Sequence, residues 1–141
     1  MAPNPFTTMP RKPAIRITRS DQDRLWRLAV SCYRKNPVVA EQLLAELDRA
    51  HVVDDSRVAA HVVRMGSTLR FTTDAGDDRT VTLVYPSEAD TSKGKVSILT
   101  PIGAALIGLS AGQSIHWRDF DGRSHRLTVK CVDPFVPTRI E

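Results

Sequence analysis

The chain has 141 residues, of which 41% are hydrophobic and 26% are charged, a composition typical of one globular domain with at most a small appendage. No apolar run approaches the ~18 residues that a membrane helix needs, and the N-terminus lacks the apolar stretch of a secretory signal, so we expect no membrane association. The net charge of +4 comes from residues 1–51, where nine lysines and arginines face five acids; this excess favours an acidic partner surface without predicting a specific nucleic-acid sequence.

The two cysteines show no spacing typical of a metal or redox site. Cys32 and Cys131 each lie within an apolar pattern. We therefore predict two buried free thiols and, because free thiols persist in a reducing compartment, a cytoplasmic protein.

The first elements in chain order are a predicted disordered arm and a helix. Residues 1–17 begin with a proline-rich stretch and show no periodic pattern. Residues 20–23 (SDQD) resemble a capping box, which predicts that the Ser20 side chain caps a helix. The apolar residues that follow at helical spacing are Leu25, Leu28, Ala29 and Cys32.

A second helix is predicted after a short turn, with Asn36 as its cap and Pro37 at its first position. Its apolar face consists of Ala40, Leu43, Leu44 and Leu47. Because the turn is short, the two helices must run antiparallel, so residues 18–52 are predicted to form a helical hairpin with arms of roughly 21 Å.

The tip of this hairpin carries Arg34 and Lys35 beside Tyr33, and its residues 31–37 include no carboxylate. Because Mg²⁺ prefers hard oxygen ligands, no metal chemistry is expected there. Arg34 and Lys35 could contact an acidic partner surface, or they could be ordinary solvated charges on a turn.

The hydrophobic period changes to two after residue 56, which predicts a small antiparallel sheet. Its strands are expected at 68–72, 80–85, 96–99, 113–118 and 124–132. Between the third and fourth strands, Thr100 is expected to cap a short helix that Pro101 opens and Gly108 ends. The predicted fold class is therefore α+β, a helical hairpin followed by an antiparallel sheet with one inserted helix.

No arrangement of catalytic or metal-ligating residues emerges from the sequence. His116 and His125 lie on the strands of the last hairpin, but the register that pairs Ile115 with Leu127 turns the histidines to opposite faces. The serines and glycines lack the settings of a nucleophile elbow or a phosphate loop. We therefore predict no metal, no cofactor and no enzymatic activity.

Several stretches resemble known families. Residues 63–69 (VRMGSTL), 84–90 (VYPSEAD), 94–109 (GKVSILTPIGAALIGL) and 111–113 (AGQ) resemble the C-terminal domain of the bacterial Gre transcript-cleavage factors. Residues 45–50 (AELDRA), 104–109 (AALIGL) and 114–117 (SIHW) resemble more narrowly the Rnk family, the regulators of nucleoside diphosphate kinase.

The resemblance implies an FKBP-like C-terminal domain over residues 56–135 and binding to RNA polymerase near its secondary channel. In Gre factors the loop before the helix helps to hold the polymerase, and the matching residues here are Leu99, Thr100 and Pro101. A helix start alone would also explain this Thr-Pro pair. Gre factors insert a long hairpin whose acidic tip shares the catalytic Mg²⁺ of the polymerase, whereas this hairpin is short and cationic, so the resemblance does not imply transcript cleavage.

Three functions follow from these patterns. The first is a non-enzymatic regulator that docks on RNA polymerase, and the second is a regulator of nucleoside diphosphate kinase or of its expression. The third is a peptidyl-prolyl isomerase, which we do not expect because a fold does not carry an activity and only eight aromatic residues are available to line a pocket.

Overall fold

The computed structural model describes residues 12–119 and 121–133. Its helices and strands are β1 (Arg16–Thr18), α1 (Arg19–Cys32), α2 (Pro37–Arg49), β2 (His51–Val53), β3 (Thr68–Thr73), β4 (Asp78–Val84), β5 (Lys95–Ser97), α3 (Pro101–Leu106), β6 (Ser114–Arg118) and β7 (Ser124–Val132). This arrangement confirms the predicted α+β class. Within the two described ranges, no helix combines the length and the apolar character needed to cross a membrane.

Helix α1 begins earlier than predicted. Its N-cap is Thr18, whose hydroxyl accepts a hydrogen bond from the Asp21 N–H at 3.2 Å, so the prediction of a Ser20 cap is wrong. Ser20 lies in the first turn, where its N–H and hydroxyl donate to the Asp55 carboxylate. Serine and threonine cap helices almost equally well, so the extended backbone of β1, which ends at Thr18, decides between them.

Helices α1 and α2 pack together as the predicted hairpin. Asn36 is the N-cap residue of α2 and Pro37 occupies the first position, although the Asn36 side chain makes no capping hydrogen bond. The residues buried on the two helices are Leu25, Ala29, Val39, Ala40, Leu43, Glu46 and Leu47. Six of these seven are apolar, so the periodicity of the sequence locates the buried faces correctly.

The segment before α1 includes a strand, although residues 1–17 are predicted to form a disordered arm. Ile15 and Ile17 are buried in the core, and Arg16 between them is exposed. β1 pairs in parallel with β2, and the Arg16 N–H donates to the Gly108 carbonyl at 3.1 Å. The prediction is therefore wrong for residues 12–17, because burial of the two isoleucines outweighs the local lack of pattern. Residues 1–11 lie outside the described residues.

Five strands form one sheet in the order β5-β4-β3-β7-β6. The β3–β4, β3–β7 and β6–β7 pairs are antiparallel, as predicted, but β4 and β5 pair in parallel, so the sheet is mixed. The loop 85–94 makes the parallel pair possible, because parallel strands need a crossover connection rather than a tight turn. The predicted β6–β7 register is confirmed, with Ile115 opposite Leu127.

Helix α3 packs against both β6 and α2. It ends at Leu106, and Gly108 follows with a φ of +80°, which is the left-handed conformation predicted for it. Gly103 allows α3 to approach the end of β5, since a Cβ atom there would lie 2.1 Å from the Ser97 carbonyl oxygen. The inserted helix is therefore fixed at close range to the sheet.

Both cysteines are free thiols, but neither is buried as predicted. Cys32 is half-buried at the last residue of α1, and Cys131 is exposed. An irregularity in the β3–β7 pairing sets Arg70 opposite Cys131 and Phe71 opposite Val129. A bulge shifts the alternation of faces, so the Cys131 side chain leaves the face that Val129 shares with the core.

Candidate functional site

The loop that leads into α3 holds Leu99, Thr100 and Pro101, the residues predicted to bind a partner. The Thr100 hydroxyl donates to the Ser97 carbonyl at 2.7 Å and accepts from the Gly103 N–H at 3.1 Å, so Thr100 caps α3 as predicted. The Leu99 N–H donates to the Ser97 hydroxyl at 3.0 Å. These bonds hold the loop in one shape, which favours a rigid docking surface.

The helical hairpin covers one part of this loop. Pro101 is buried, and its carbonyl accepts a hydrogen bond from Gln42 Nε2 of α2 at 3.0 Å. Leu99 and Thr100 are half-buried. A partner that docks on the loop would therefore contact Leu99 and Thr100, while Pro101 contributes only through the conformation that it imposes.

The hairpin tip exposes Arg34 and Lys35, which are the other two predicted site residues. Across the turn, the Tyr33 hydroxyl donates to the Glu41 carboxylate, and this hydrogen bond raises the pKa of Tyr33. The tip thus combines two cations with one carboxylate that is already hydrogen-bonded. Sequence reasoning missed Glu41 because it lies on α2, and only the turn brings it beside Tyr33.

All of the strongly exposed large hydrophobic side chains in the described ranges lie on the distal half of the hairpin. They are Trp26, Val30, Tyr33 and Val38, and Val38 is 74% exposed. The first three recur at i, i+4 and i+7, so they share one face of α1, which points away from the buried side. Exposed apolar groups that cluster in this way are typical of interaction surfaces. The spacing is visible in the sequence, but the buried face of the same helix gives the stronger signal.

A buried carboxylate ties the N-terminal segment to the hairpin. Glu46 is only 2% exposed, and its carboxylate oxygens lie 2.9 Å from Lys12 Nζ and 2.6 Å from Arg49 Nε. The Arg49 guanidinium also donates to the Pro13 carbonyl. A buried charge needs such partners, because its transfer out of water is costly. The Glu46–Arg49 pair has ordinary i, i+3 helical spacing, but the sequence contains no signal for the Lys12 contact, since Lys12 and Glu46 lie 34 residues apart.

A second polar contact joins α1 to the segment before β3. The Asp21 carboxylate accepts a hydrogen bond from the Met65 N–H at 3.4 Å, yet burial raises the pKa of Asp21. For the neighbouring Asp55, hydrogen bonds from the Ser20 hydroxyl and N–H lower the pKa. Burial therefore disfavours the ionised form of the Asp21 carboxyl, whereas the hydrogen-bond donors of Ser20 favour the ionised form of the Asp55 carboxyl.

The two histidines of the last hairpin lie in the predicted register, with His116 opposite Arg126 and His125 opposite Trp117. The His125 ring stacks on Trp117 with ring centroids 5.0 Å apart. Its Nε2 lies 2.7 Å from Asp119 Oδ2, and this hydrogen bond lowers the pKa of Asp119. Over the described ranges, no three His, Cys, Asp or Glu side chains cluster where they could hold a metal ion.

Two family models match this chain, and the boundary between the two matches falls between the helical hairpin with its flanking strands and the five-stranded sheet. Residues 13–53, which include β1, the hairpin and β2, match the Rnk N-terminus. Residues 58–134, which include the five-stranded sheet and α3, match the C-terminal domain of the transcription elongation factors GreA and GreB.

Individual relatives agree with this division. A regulator of nucleoside diphosphate kinase from Escherichia coli K12 is 37% identical over 119 residues, which cover 84% of this chain and 88% of the relative. The transcription elongation factor GreA of Thermodesulfovibrio yellowstonii is 38% identical over 76 residues, which cover 53% of this chain and 48% of that factor. A solved structure of a GreA/GreB elongation factor from Nitrosomonas europaea is 40% identical with a TM-score of 0.68, and the match covers 86% of this chain and 99% of that one.

The Rnk relative matches most of both chains, whereas GreA matches about half of each. The hairpin, the sheet with its inserted helix and these matches together show that the chain belongs to the Rnk family and carries a GreA/GreB-type, FKBP-like C-terminal domain.

Proposed function

We propose that this protein is a non-enzymatic transcription regulator that binds RNA polymerase near the secondary channel. The observation that carries the proposal is the GreA/GreB-type C-terminal domain, because the Gre family implies binding at that place. The loop before α3 keeps Leu99 and Thr100 accessible in a conformation fixed by hydrogen bonds. No binding to a specific DNA sequence is part of the proposal.

The protein is proposed not to cleave transcripts, for reasons of length and of charge. Helices α1 and α2 contain 14 and 13 residues, so each arm is only about 20 Å long. The tip exposes Arg34 and Lys35, and the nearby Glu41 carboxylate accepts the hydrogen bond of Tyr33. A tip that shares Mg²⁺ would have to present carboxylate oxygens rather than cations, and a single carboxylate beside two cations does not provide this.

Surface binding of the purified protein to core RNA polymerase, at low and moderate salt, tests this function. We expect saturable binding that a Gre factor competes away, and no stimulation of transcript cleavage in a stalled elongation complex. Absence of binding at both salt concentrations would refute the docking proposal. Cleavage above the background of the polymerase would refute the non-enzymatic part.

A second candidate is regulation of nucleoside diphosphate kinase through protein–protein contact, and the name of the Escherichia coli relative favours it. The same immobilised protein can be offered the kinase in place of the polymerase. Binding to the kinase without binding to the polymerase would favour regulation of the kinase over regulation of transcription.

Peptidyl-prolyl isomerase activity is not proposed. The groove between α2 and β6 has one Phe, Trp or Tyr side chain, Trp117, among the described residues of its walls. We expect a proline-peptide isomerisation assay to show only the uncatalysed rate.

A further inference from the structure

A groove of about 760 Å³ lies between α2 and β6, and the polymerase-binding proposal makes no use of it. Its walls include Val38 and Gln42 of α2 and Ala105 of α3. They also include five consecutive residues, 115–119, of which the first four belong to β6 and the last follows it. This volume and its largely apolar walls are typical of sites that bind a ligand. We term it the α2–β6 groove.

The groove contains the free edge of a strand. β6 is an edge strand, and the Asp119 N–H donates to the Arg123 carbonyl at 3.0 Å just beyond its end. In an antiparallel pair, the residues that hydrogen-bond across the pair alternate with those that do not. This bond and the β6–β7 register therefore indicate that the backbone groups of the odd-numbered residues of β6 hydrogen-bond to β7. The backbone N–H and C=O groups of Ser114, His116 and Arg118 therefore point away from β7. They have no backbone partner among the residues that the structure describes.

That free edge faces the α2–β6 groove. Successive side chains of a strand point to opposite faces, so five consecutive residues can all line one groove only when the backbone edge is turned toward it. Backbone donors and acceptors in a row are matched best by another extended polypeptide. The geometry therefore favours a peptide over a small molecule as the ligand.

A side-chain donor in the same wall also lacks an acceptor. The Trp117 indole Nε1 atom is buried and has no hydrogen-bond partner in the described part of the chain. Its ring is held in place by the stack on His125. A buried unpaired donor is unfavourable, so a carbonyl oxygen that reaches Nε1 from the groove would remove an existing penalty.

One exposed cation in the groove walls, Arg118, has no acidic partner among the described residues. Both carboxylates in its walls already accept a hydrogen bond, Glu46 from Lys12 and Asp119 from His125. Arg118 is exposed and takes part in no ion pair within residues 12–119 and 121–133. An acidic side chain would complement it, whereas residues 1–11 of this chain contain an arginine and no acid.

We propose that the α2–β6 groove binds an extended segment of a partner protein, apolar and acidic in composition, which adds to β6 as a further strand. Its backbone bonds to His116 and Arg118, and one of its carbonyls accepts from the Trp117 indole. Its apolar side chains pack between Val38 and Ala105, and its carboxylate pairs with Arg118. Strand addition gives affinity through main-chain hydrogen bonds and specificity through alternate side chains. This inference is independent of polymerase binding.

Nuclear magnetic resonance of the ¹⁵N-labelled full chain, titrated with the peptide acetyl-Val-Glu-Val-Thr-Val-Glu-amide, tests the site. We expect the backbone N–H signals of His116 and Arg118 and the Trp117 indole signal to shift. The exchange of the two backbone N–H groups with solvent should slow at least fivefold. The indole of Trp26, which is exposed on α1, should not respond. No shift at millimolar peptide would overturn the proposal.

A matched probe separates strand addition from simple apolar adsorption. The same peptide with N-methyl groups at alternate residues keeps every side chain but cannot complete the ladder. It should bind at least tenfold more weakly. Equal binding of the two peptides would overturn strand addition.

Variants test the two side chains that the proposal uses. Trp117→Phe keeps an aromatic ring beside His125 and removes the indole N–H, so probe affinity should fall at least threefold with the fold retained by circular dichroism. Arg118→Glu should lower it at least fivefold, with Arg79→Glu, an exposed arginine on β4, as the matched control. Equal losses for the two arginine variants would show nonspecific attraction and overturn the site.

A chain that lacks residues 2–11 identifies the occupant. It should bind the probe as the full chain does. Binding that is seen only after this removal would make the chain's own N-terminal segment the occupant and would overturn the partner proposal.

Discussion

At the scale of single residues, Thr100 links the fold of the loop to its proposed docking role. Thr100→Ala removes the hydroxyl that binds the Ser97 carbonyl and the Gly103 N–H. We expect a loss of about 1–2 kcal/mol in the free energy of unfolding, measured by urea denaturation. Thr100→Ser retains the hydroxyl and should stay within about 0.5 kcal/mol of the unsubstituted chain. Equal stability of the two variants would show that the cap contributes nothing.

The opposite pKa shifts of Asp21 and Asp55 predict opposite dependences of the free energy of unfolding on pH. Burial raises the pKa of Asp21, so the folded chain holds that proton more tightly than the unfolded chain does. Its contribution to the free energy of unfolding therefore falls as pH rises from the unfolded value of 3.8 through the folded pKa. Asp21→Asn, a neutral isostere, should be more stable than the unsubstituted chain at pH 7, and this advantage should shrink toward pH 3.

Asp55→Asn is the matched control for this effect. Because hydrogen bonds from Ser20 lower the pKa of Asp55, its contribution is present above the unfolded pKa and is lost as pH falls through the folded pKa. The substitution should therefore destabilise the chain at pH 7 and matter little at the acid end, as measured by thermal unfolding across pH. The same sign for both variants at pH 7 would contradict the assignment.

At the scale of elements, the hairpin exposes the cations of its tip, Arg34 and Lys35, which we propose contact the polymerase. Arg34→Glu combined with Lys35→Glu changes two exposed side chains, so the free energy of unfolding should change by less than about 1 kcal/mol. The affinity for core RNA polymerase should fall at least tenfold at low salt. The loss should be smaller at moderate salt, because exposed charges are screened there.

A charge-matched double variant on the sheet domain, Arg79→Glu with Arg123→Glu, controls for net charge. Both arginines are exposed, and the change in total charge is the same. We expect it to keep most of the affinity for the polymerase in the same surface-binding assay. A similar loss in both double variants would locate the effect in net charge rather than in the tip.

At the scale of the whole molecule, β1 makes the hairpin and the sheet domain share one core. Ile15 and Ile17 belong to the same buried cluster as Leu25 of α1 and Leu127 of β7. Ile17→Ala should therefore cost about 2–5 kcal/mol, with both parts unfolding in one transition by circular dichroism and tryptophan fluorescence. Arg16→Ala, on the exposed side of the same strand, should change stability by less than about 0.5 kcal/mol. Two separate transitions would contradict a shared core.

The sequence by itself determined the features that depend on neighbouring residues and on periodicity. Helical spacing placed the buried faces of the hairpin, and alternation placed the register in which Ile115 faces Leu127. The Thr100 cap and the left-handed Gly108 also follow from local rules, because a helix end is satisfied by residues within a few positions of it. These features need no knowledge of the rest of the chain.

Only the tertiary structure decided the features that join distant segments. β1 is a strand because Ile15 and Ile17 find a core, and Cys131 is exposed because a bulge shifts the faces of β7. The Glu46 cluster and the open edge of β6 beside the Trp117 indole likewise arise from contacts across the fold. The physical reason is common to all of them: the burial of a charge, a donor or an apolar side chain is a property of the assembled chain, and no local pattern encodes which remote segment will supply the partner.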